Sequence, residues 1–365
     1  MISSKKLITI VDSHTSYRKE IVDILMPFYN VSDYSDGRPA IKMMRVDFPA
    51  MIIVGEDVIP YKAADFIREV RNSPALRVLP LLHIIDEKNI GLINESEKCG
   101  VTNILLKPFT PQELVRKISE ILNAHVEGEW EALPEMQRDA LKNSVGVFNN
   151  IADALLVGDT VSFAEVKGST QSLVSSVEKN DFISILDGVR NHDDYTYAHS
   201  MRVATMLTLL GHAAGFRNDD QLMLSSGGLL HDVGKMYIPH HILNKPGRLD
   251  EEEFEIMKGH VKGTVDYLKT IDNIPKAVFI IAEQHHEKID GTGYPHGLKG
   301  KELNELARMA AIVDVFSALT DRRVYKEPMS VAKAMEIMKD EMTGHLDQHY
   351  VKMFRSILID SKLLV

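Results

Sequence analysis

The chain is poor in cysteine, in long apolar runs and in surplus positive charge. Its single cysteine, Cys99, excludes an intramolecular disulfide and a thiolate-rich structural zinc site, and fits a reducing, cytoplasmic compartment. No segment approaches the roughly 18 consecutive apolar residues of a membrane span. Near the N-terminus the short apolar run Leu7–Val11 precedes Asp12 and is too brief for the core of a secretion signal. The formal net charge of -10 excludes a general surface for polymeric nucleic acid, which is held by accumulated lysine and arginine. An anionic substrate must therefore be attracted locally. What the chain does have is size and histidine. Its 365 residues, 44% hydrophobic and 26% charged, suffice for two domains with separate cores. Most of its 15 histidines lie beyond residue 190, and that asymmetry points to a site there.

Residues 1–124 alternate short apolar runs with helix-length amphipathic stretches. The runs are Leu7–Val11, Met51–Val54, Val78–Leu82 and Asn103–Leu106, with a weaker one near Val31. The alternation predicts βαβ units and a doubly wound α/β domain on a five-stranded parallel sheet. Beyond residue 125 helical periodicity takes over, as in Met201–Ala214, Glu251–Thr270 and Val331–Met342. Residues 179–365 are therefore expected to form an all-α bundle. Residues 125–178 read as a connecting helix and the first helices of the second domain, with turns at Gly158 and at Gly168–Ser172.

Asp12 after the first strand and Lys107-Pro108-Phe109 after the fifth, set in five βα units, resemble the response-regulator receiver domain of two-component signalling. Receivers accept a phosphoryl group on an aspartate after the third strand, beside an acidic pair that holds magnesium and a hydroxyl residue on the fourth strand. This chain departs at each place: the pair is Asp12-Ser13, the acceptor region reads Val54-Gly55-Glu56-Asp57, and the hydroxyl position falls near Ile85. Counting from Pro60 puts Glu56 at the acceptor position, whereas counting from Pro49 puts Gly55 there. The expectation is a degenerate receiver that docks or dimerises without phosphorylation, to be tested by the absence of a stable acyl phosphate after incubation with acetyl phosphate.

The chemistry concentrates between His199 and Lys326. Candidate ligands are His199, His231, Asp232, His260, His285, His286 and Asp314. Taken singly, each histidine is more often a packed or surface residue. Together, imidazoles and carboxylates in helical context suit iron, manganese, zinc or nickel at a catalytic centre. Adjacent residues on a helix point about 100° apart, so His231 and Asp232 suit a site with more than one ion, with Asp232 as a bridge. Two ions about 3.5–4 Å apart can share a hydroxide and clamp both oxygens of a phosphodiester displacement.

His231-Asp232-Val233-Gly234-Lys235, with His285-His286-Glu287-Lys288-Ile289-Asp290-Gly291-Thr292-Gly293-Tyr294-Pro295, resembles the HD-GYP family of HD-domain phosphohydrolases. The resemblance runs from about Asn180 to Phe354. It implies that His199, His231, Asp232 and Asp314 hold one divalent ion, and Asp232, His260, His285 and His286 the other, with iron or manganese favoured and zinc or nickel as alternatives. Members with a third ion carry a glutamate four residues before the first histidine, where this chain has Tyr195. By the same resemblance Lys235 reaches the scissile phosphate; a cation at a helix C-terminus is its plainer reading. Arg323 and Lys326 match positions that grip substrate phosphates. A typical member ends this stretch with Ser-Asp-Arg-Pro-Tyr-Lys, against Arg322 and Val324 here at the second and fourth positions. Gly293, Tyr294 and Pro295 belong to a loop that borders the substrate and contacts partner proteins. Glu287 and Asp290 are read either as groups that orient the histidines or as solvated charge. His83, His212, His240, His241, His345 and His349 fit no ligand spacing and are read as structural.

The implied activity is hydrolysis of cyclic di-GMP by a metal-bridged hydroxide, to linear pGpG and/or GMP, with Asp232 and Lys235 central, and a homodimer is among the implied assemblies. Two alternatives stand beside it: a non-catalytic cyclic-dinucleotide sensor or docking effector, and a hydrolase of another cyclic dinucleotide such as 3',3'-cGAMP.

Overall fold

Strand β3 (Met51–Val54) is buried along its whole length, as an apolar run must be when helices cover both faces of a parallel sheet. It is central in a computed structural model that describes residues 6–26, 28–190, 192–243, 245, 247–321 and 329–364, without the side chains of residues 112, 156, 157, 240 and 241. The sheet runs β2 (Asn30–Tyr34), β1 (Leu7–Val11), β3, β4 (Leu81–Asp86), β5 (Asn103–Lys107), and every pairing is parallel. Helices α1 (Thr15–Leu25), α2 (Gly37–Met44), α3 (Ala63–Asn72) and α4 (Ile90–Lys98) make the crossovers, and α5 (Pro111–Glu129) follows β5. This order is that of the flavodoxin-like doubly wound fold, whose functional crevice opens at the carboxyl ends of β1 and β3.

The fourth strand is displaced from its expected place at Val78–Leu82. Pro80 has no N–H for a ladder and Val78 is 71% exposed, so β4 starts at Leu81 and runs through His83. The His83 ring is fully buried, with Nδ1 2.7 Å from Ser96 Oγ and Nε2 3.1 Å from the Gly55 carbonyl oxygen. Burial pushes its pKa down to about 4, so the ring stays neutral at physiological pH.

At the carboxyl end of the sheet Glu56 takes the place next to the lysine. Lys107 Nζ donates to Glu56 Oε2 at 3.1 Å, and Asn89 Nδ2 donates to Oε1 at 3.1 Å. A side chain at position 55 is excluded, because a Cβ on Gly55 would come within 1.8 Å of the buried Asp12 carboxylate. Asp57 points away, 66% exposed and 3.5 Å from His14 Nδ1.

By chain contacts the protein divides into two compact units, residues 1–125 and 126–365. The second contains α6 (Glu135–Val157), α7 (Phe163–Glu178), α8 (Ile183–Val189), α9 (Tyr195–Ala213), α10 (Asp219–Leu230), α11 (His240–Leu243), α12 (Glu251–Leu268), α13 (Lys276–Gln284), α14 (Glu305–Thr320), α15 (Val331–Asp340) and α16 (Gln348–Asp360). Helix α10 is sandwiched by α7, α9 and α13, which explains a sequence with little polar face. Gly158 ends α6 in the left-handed conformation as expected, but Gly168–Ser172 forms no turn. That stretch lies inside α7, started by a capping box at Ser162 and Glu165. Its hydroxyls bond back along the helix, Ser169 to the Val166 carbonyl and Thr170 to that of Lys167, while Val166, Leu173 and Val174 are buried. Among the described residues no helix is long and apolar enough to cross a membrane.

Candidate metal centre

Five helices deliver the seven candidate ligands to one place. His199 comes from the first half of α9 and Asp314 from α14. Helix α10 stops at Leu230, so His231 caps it and Asp232 opens the 3-10 turn Val233–Tyr237. His260 lies within α12, and His285 and His286 follow directly on α13. Their ligand atoms fall into two groups, Asp232 with His260, His285 and His286, and His199 with His231 and Asp314, each within 4.8 Å.

Asp232 spans both groups. Its Oδ2 lies 3.5 Å from His199 Nε2 and 3.2 Å from His231 Nε2, whereas Oδ1 lies 3.2 Å from His260 Nε2 and 3.8 Å from His285 Nε2. Asp314 completes the frame, with Oδ1 3.0 Å from His199 Nε2 and Oδ2 3.6 Å from His286 Nδ1. All seven except His286 are buried.

Three rings are turned by a bond on their far nitrogen. His231 Nδ1 donates to the Gly228 carbonyl at 2.8 Å, His260 Nδ1 to that of Met257 at 2.6 Å, and His285 Nδ1 to that of Ala282 at 2.9 Å. A carbonyl can only accept, so the proton is fixed on Nδ1 and the Nε2 lone pair faces inward. Among the described residues the Nε2 atoms of His231, His260 and His285, and Asp232 Oδ1, have no hydrogen-bond partner. Buried polar atoms are seldom left so, and four that converge on one space fit cations. The donor set, five imidazoles and two carboxylates without thiolate, suits divalent transition metals.

Electrostatics agrees with ionised carboxylates and with neutral rings at His285 and His286. Burial pushes the pKa of His286 down to about 3, and burial with the neighbouring His286 and His231 holds that of His285 well below its ordinary value. Burial would raise Asp232, but His231 and Lys235 outweigh it and hold the carboxyl well below the usual range. His199 differs. Burial pushes its pKa down, yet hydrogen bonds to Asp314 and Asp321 outweigh that and bring it up to about 9.

In the metal-free protein a proton on His199 Nε2 is therefore expected to compete with an incoming cation at neutral pH. The apparent affinity of the His199 group for metal is expected to rise about tenfold per pH unit from about pH 7 and to level off above about 9. The stability that this proton gives the metal-free fold has the opposite sense: complete below His199's unfolded value near 6.5, it is lost as pH rises through about 9. Chelator competition at several pH values checks the first trend, and a flat profile refutes it.

Lys235 donates to Asp232 Oδ2, the oxygen on the His199 side, and is 16% exposed. Tyr294 lays its ring on His286, centroids 4.7 Å apart, and meets Phe254 edge-on at 6.3 Å. Gly293 folds back on the backbone of Glu287 and Lys288. Pro295 is exposed. Arg322, Arg323, Val324 and Lys326 lie outside the described residues.

Neither Glu287 nor Asp290 hydrogen-bonds to the clustered histidines. Glu287 is buried and accepts from the backbone N–H groups of His296, Gly297 and Leu298 at 2.6, 3.1 and 3.0 Å, fastening the loop that carries Tyr294. Asp290 accepts from Thr292 and faces His345 at 3.5 Å. Exchange of Glu287 for Gln is expected to cost about 2 kcal/mol of stability, as charge-assisted bonds are lost, while metal content stays unchanged. Loss of metal in that variant would instead give Glu287 a histidine-orienting role.

Two contributors escaped the sequence reading. Thr264 Oγ1 accepts from the Gly234 N–H at 2.9 Å and donates to the His231 carbonyl at 3.2 Å, tying α12 to the turn after α10. Asp321, at the end of α14, accepts from His199 Nδ1 at 2.9 Å. Its position seven residues after Asp314, two helical turns on, was the available signal.

Residues 186–350 match the family model of the HD domain. This part of the chain is an HD domain. Over 202 residues the protein is 35% identical to the cyclic di-GMP phosphodiesterase PA4108 of Pseudomonas aeruginosa, covering 54% of this chain and 48% of that one. It is 26% identical over 332 residues to the cyclic di-GMP phosphodiesterase response regulator RpfG of Xanthomonas campestris pv. campestris, 90% of this chain and 81% of that one. It is 37% identical over 153 residues to the 3'3'-cGAMP-specific phosphodiesterase 3 of Vibrio cholerae, 42% of this chain and 33% of that one. The chain thus spans about half of PA4108 and about a third of the cGAMP enzyme, but most of RpfG. The alignment with RpfG is about twice as long as the HD match and so takes in residues before it.

Proposed function

We propose that the HD domain hydrolyses a phosphodiester bond of a cyclic dinucleotide, with cyclic di-GMP as substrate and linear pGpG or GMP as product. The observation that carries this is the division of Asp232, one oxygen toward each histidine group, which suits a pair of cations on either side of one carboxylate. The relatives named for cleavage of cyclic di-GMP and cGAMP support the substrate class. His199, His231, Asp232 and Asp314 would hold one ion and Asp232, His260, His285 and His286 the other, with iron or manganese ahead of zinc or nickel. When bound, such ions supply Lewis acidity to a phosphate oxygen and acidify an attacking water.

The chain's own groups do the rest. Asp232 and Asp314 place two negative charges among the imidazoles, which would offset half the charge of two divalent cations and leave the remainder to attract an anionic phosphodiester. Lys235 brings an ammonium to the His199 side of Asp232, where it can neutralise charge that develops on phosphate. Arg323 and Lys326 are assigned the remaining phosphate contacts from sequence. The Tyr294 ring walls the site beside His286, and the Gly293–Pro295 loop offers a surface for substrate and for partner proteins. The N-terminal unit serves as a docking or dimerisation module without phosphorylation, since Glu56 already engages Lys107.

A mixed GMP–AMP cyclic dinucleotide is the second substrate reading, favoured by the cGAMP-specific relative. A purely non-catalytic effector is disfavoured by the full ligand set. Incubation of the full chain, loaded with manganese or with iron under anaerobic conditions, with several cyclic dinucleotides and chromatography of the products tests class, base preference and end point together. Failure to cleave any of them under both loadings overturns the reading.

A further inference from the structure

His199 is held differently from its neighbours. His231, His260 and His285 each give their Nδ1 proton to an uncharged carbonyl three residues back in their own segment. His199 gives its proton to the side chain of Asp321, which reaches it from the end of α14. Asp321 is itself 5% exposed, and its other oxygen is taken: Oδ1 lies 2.7 Å from Arg202 Nε. Arg202 stands three residues after His199 on α9, on the same side of the helix, and also donates to Thr320 Oγ1 at 3.1 Å. Imidazole, carboxylate and guanidinium thus form a chain that runs from the buried His199 and Asp321 to the half-buried Arg202.

The charge balance explains the arginine. A third carboxylate beside Asp232 and Asp314 would be costly to bury alone, and Arg202 offsets it. What is left to His199 is a strong acceptor on Nδ1 at no net charge. A carboxylate in that position fixes the tautomer, aims Nε2 at Asp314 and Asp232, and makes the ring a better donor to a cation than a carbonyl acceptor does. Where the family hexapeptide begins with Ser, this chain has Asp321.

We propose that Asp321, buttressed by Arg202, is a positioning residue that strengthens metal binding at the His199, His231 and Asp314 group and leaves the His260, His285 and His286 group unaffected. The inference rests on the metal-centre reading given under Proposed function and adds an asymmetry to it: the two ions are held through differently supported ligands.

The test is titration of manganese into the metal-free full chain and its variants in chelator-buffered solution, with both dissociation constants resolved, alongside thermal melts. Asp321→Ala is expected to weaken one of the two sites by about 10- to 100-fold and to leave the other within about twofold. Asp321→Asn, which keeps an acceptor of the same shape without the charge, is expected to fall between wild type and Ala, and carries the test if the Ala protein does not fold. Saturating manganese is expected to return most of the phosphodiesterase activity. A purely structural Asp321 would lower the melting temperature and leave both constants alone, and that result overturns the proposal. Equal weakening of both sites overturns it too. If wild type binds two ions but cleaves no cyclic dinucleotide, the functional reading fails while this one stands. If wild type cleaves but the constants do not split, only this one fails.

Discussion

Asp232→Ala is expected to lose metal and turnover together. Asp232 sets each of its oxygens against two imidazole nitrogens of a different group, whereas Asp314 reaches across only to His286, so removal of Asp232 withdraws an oxygen from each side and leaves four Nε2 atoms without the carboxylate between them. It also strips Lys235 of its partner. Metal catalysis of this kind is worth several kcal/mol of barrier, so turnover should fall roughly a thousandfold or more. Elemental analysis of the purified variant should show less than one ion per chain. An Asp232→Asn protein separates charge from geometry: its amide oxygen can still serve one group, and it is expected to retain one ion in preference to two. Full metal content and full rate in the Ala variant would remove the basis for the proposed function.

Gly234→Ala should have the largest effect on the fold of the HD domain. A Cβ at that position would come within 2.0 Å of the His260 carbonyl oxygen and 2.4 Å of the Thr264 backbone nitrogen. Both neighbours are backbone of α12, so no side-chain rotation relieves the clash. The helix must retreat, breaking the bonds from Gly234 to Thr264 and from Thr264 to His231 and carrying His260 away from Asp232. Overpacking of this severity costs about 3 kcal/mol or more, which lowers the melting temperature of a unit this size by roughly 10 °C. Binding at the His260 group should weaken with it. Gly168→Ala is the control, because Gly168 lies exposed in α7 with nothing within 4 Å of the added carbon. That change should stabilise by about 0.5–1 kcal/mol. Similar melting temperatures for the two variants would show that α12 yields more easily than its packing implies.

Of the seven candidate ligands, His231, Asp232, His285 and His286 were legible in two distinctive strings, and His199, His260 and Asp314 through the resemblance those strings carry; the structure draws all seven together. The parallel sheet was legible from its apolar runs. What escaped depended on contacts distant in sequence or on packing that overrides local propensity. Asp321 meets His199 across 122 positions, and Thr264 meets His231 across 33. Neither carries a local signature. Gly168–Ser172 has the composition of a turn, yet a capped helix with a buried face absorbs it. The strand through His83 was misplaced because a histidine reads as polar until Ser96 and Gly55 are seen to satisfy both its nitrogens.

The bonds on the far side of the imidazoles bear on how the centre fills. With three rings locked from behind and His199 pinned by Asp321, four of the five imidazoles are already aimed before an ion arrives. At a centre aimed in advance to this extent, discrimination among cations is expected to depend more on hardness, preferred coordination and supply than on a closing movement of these four side chains.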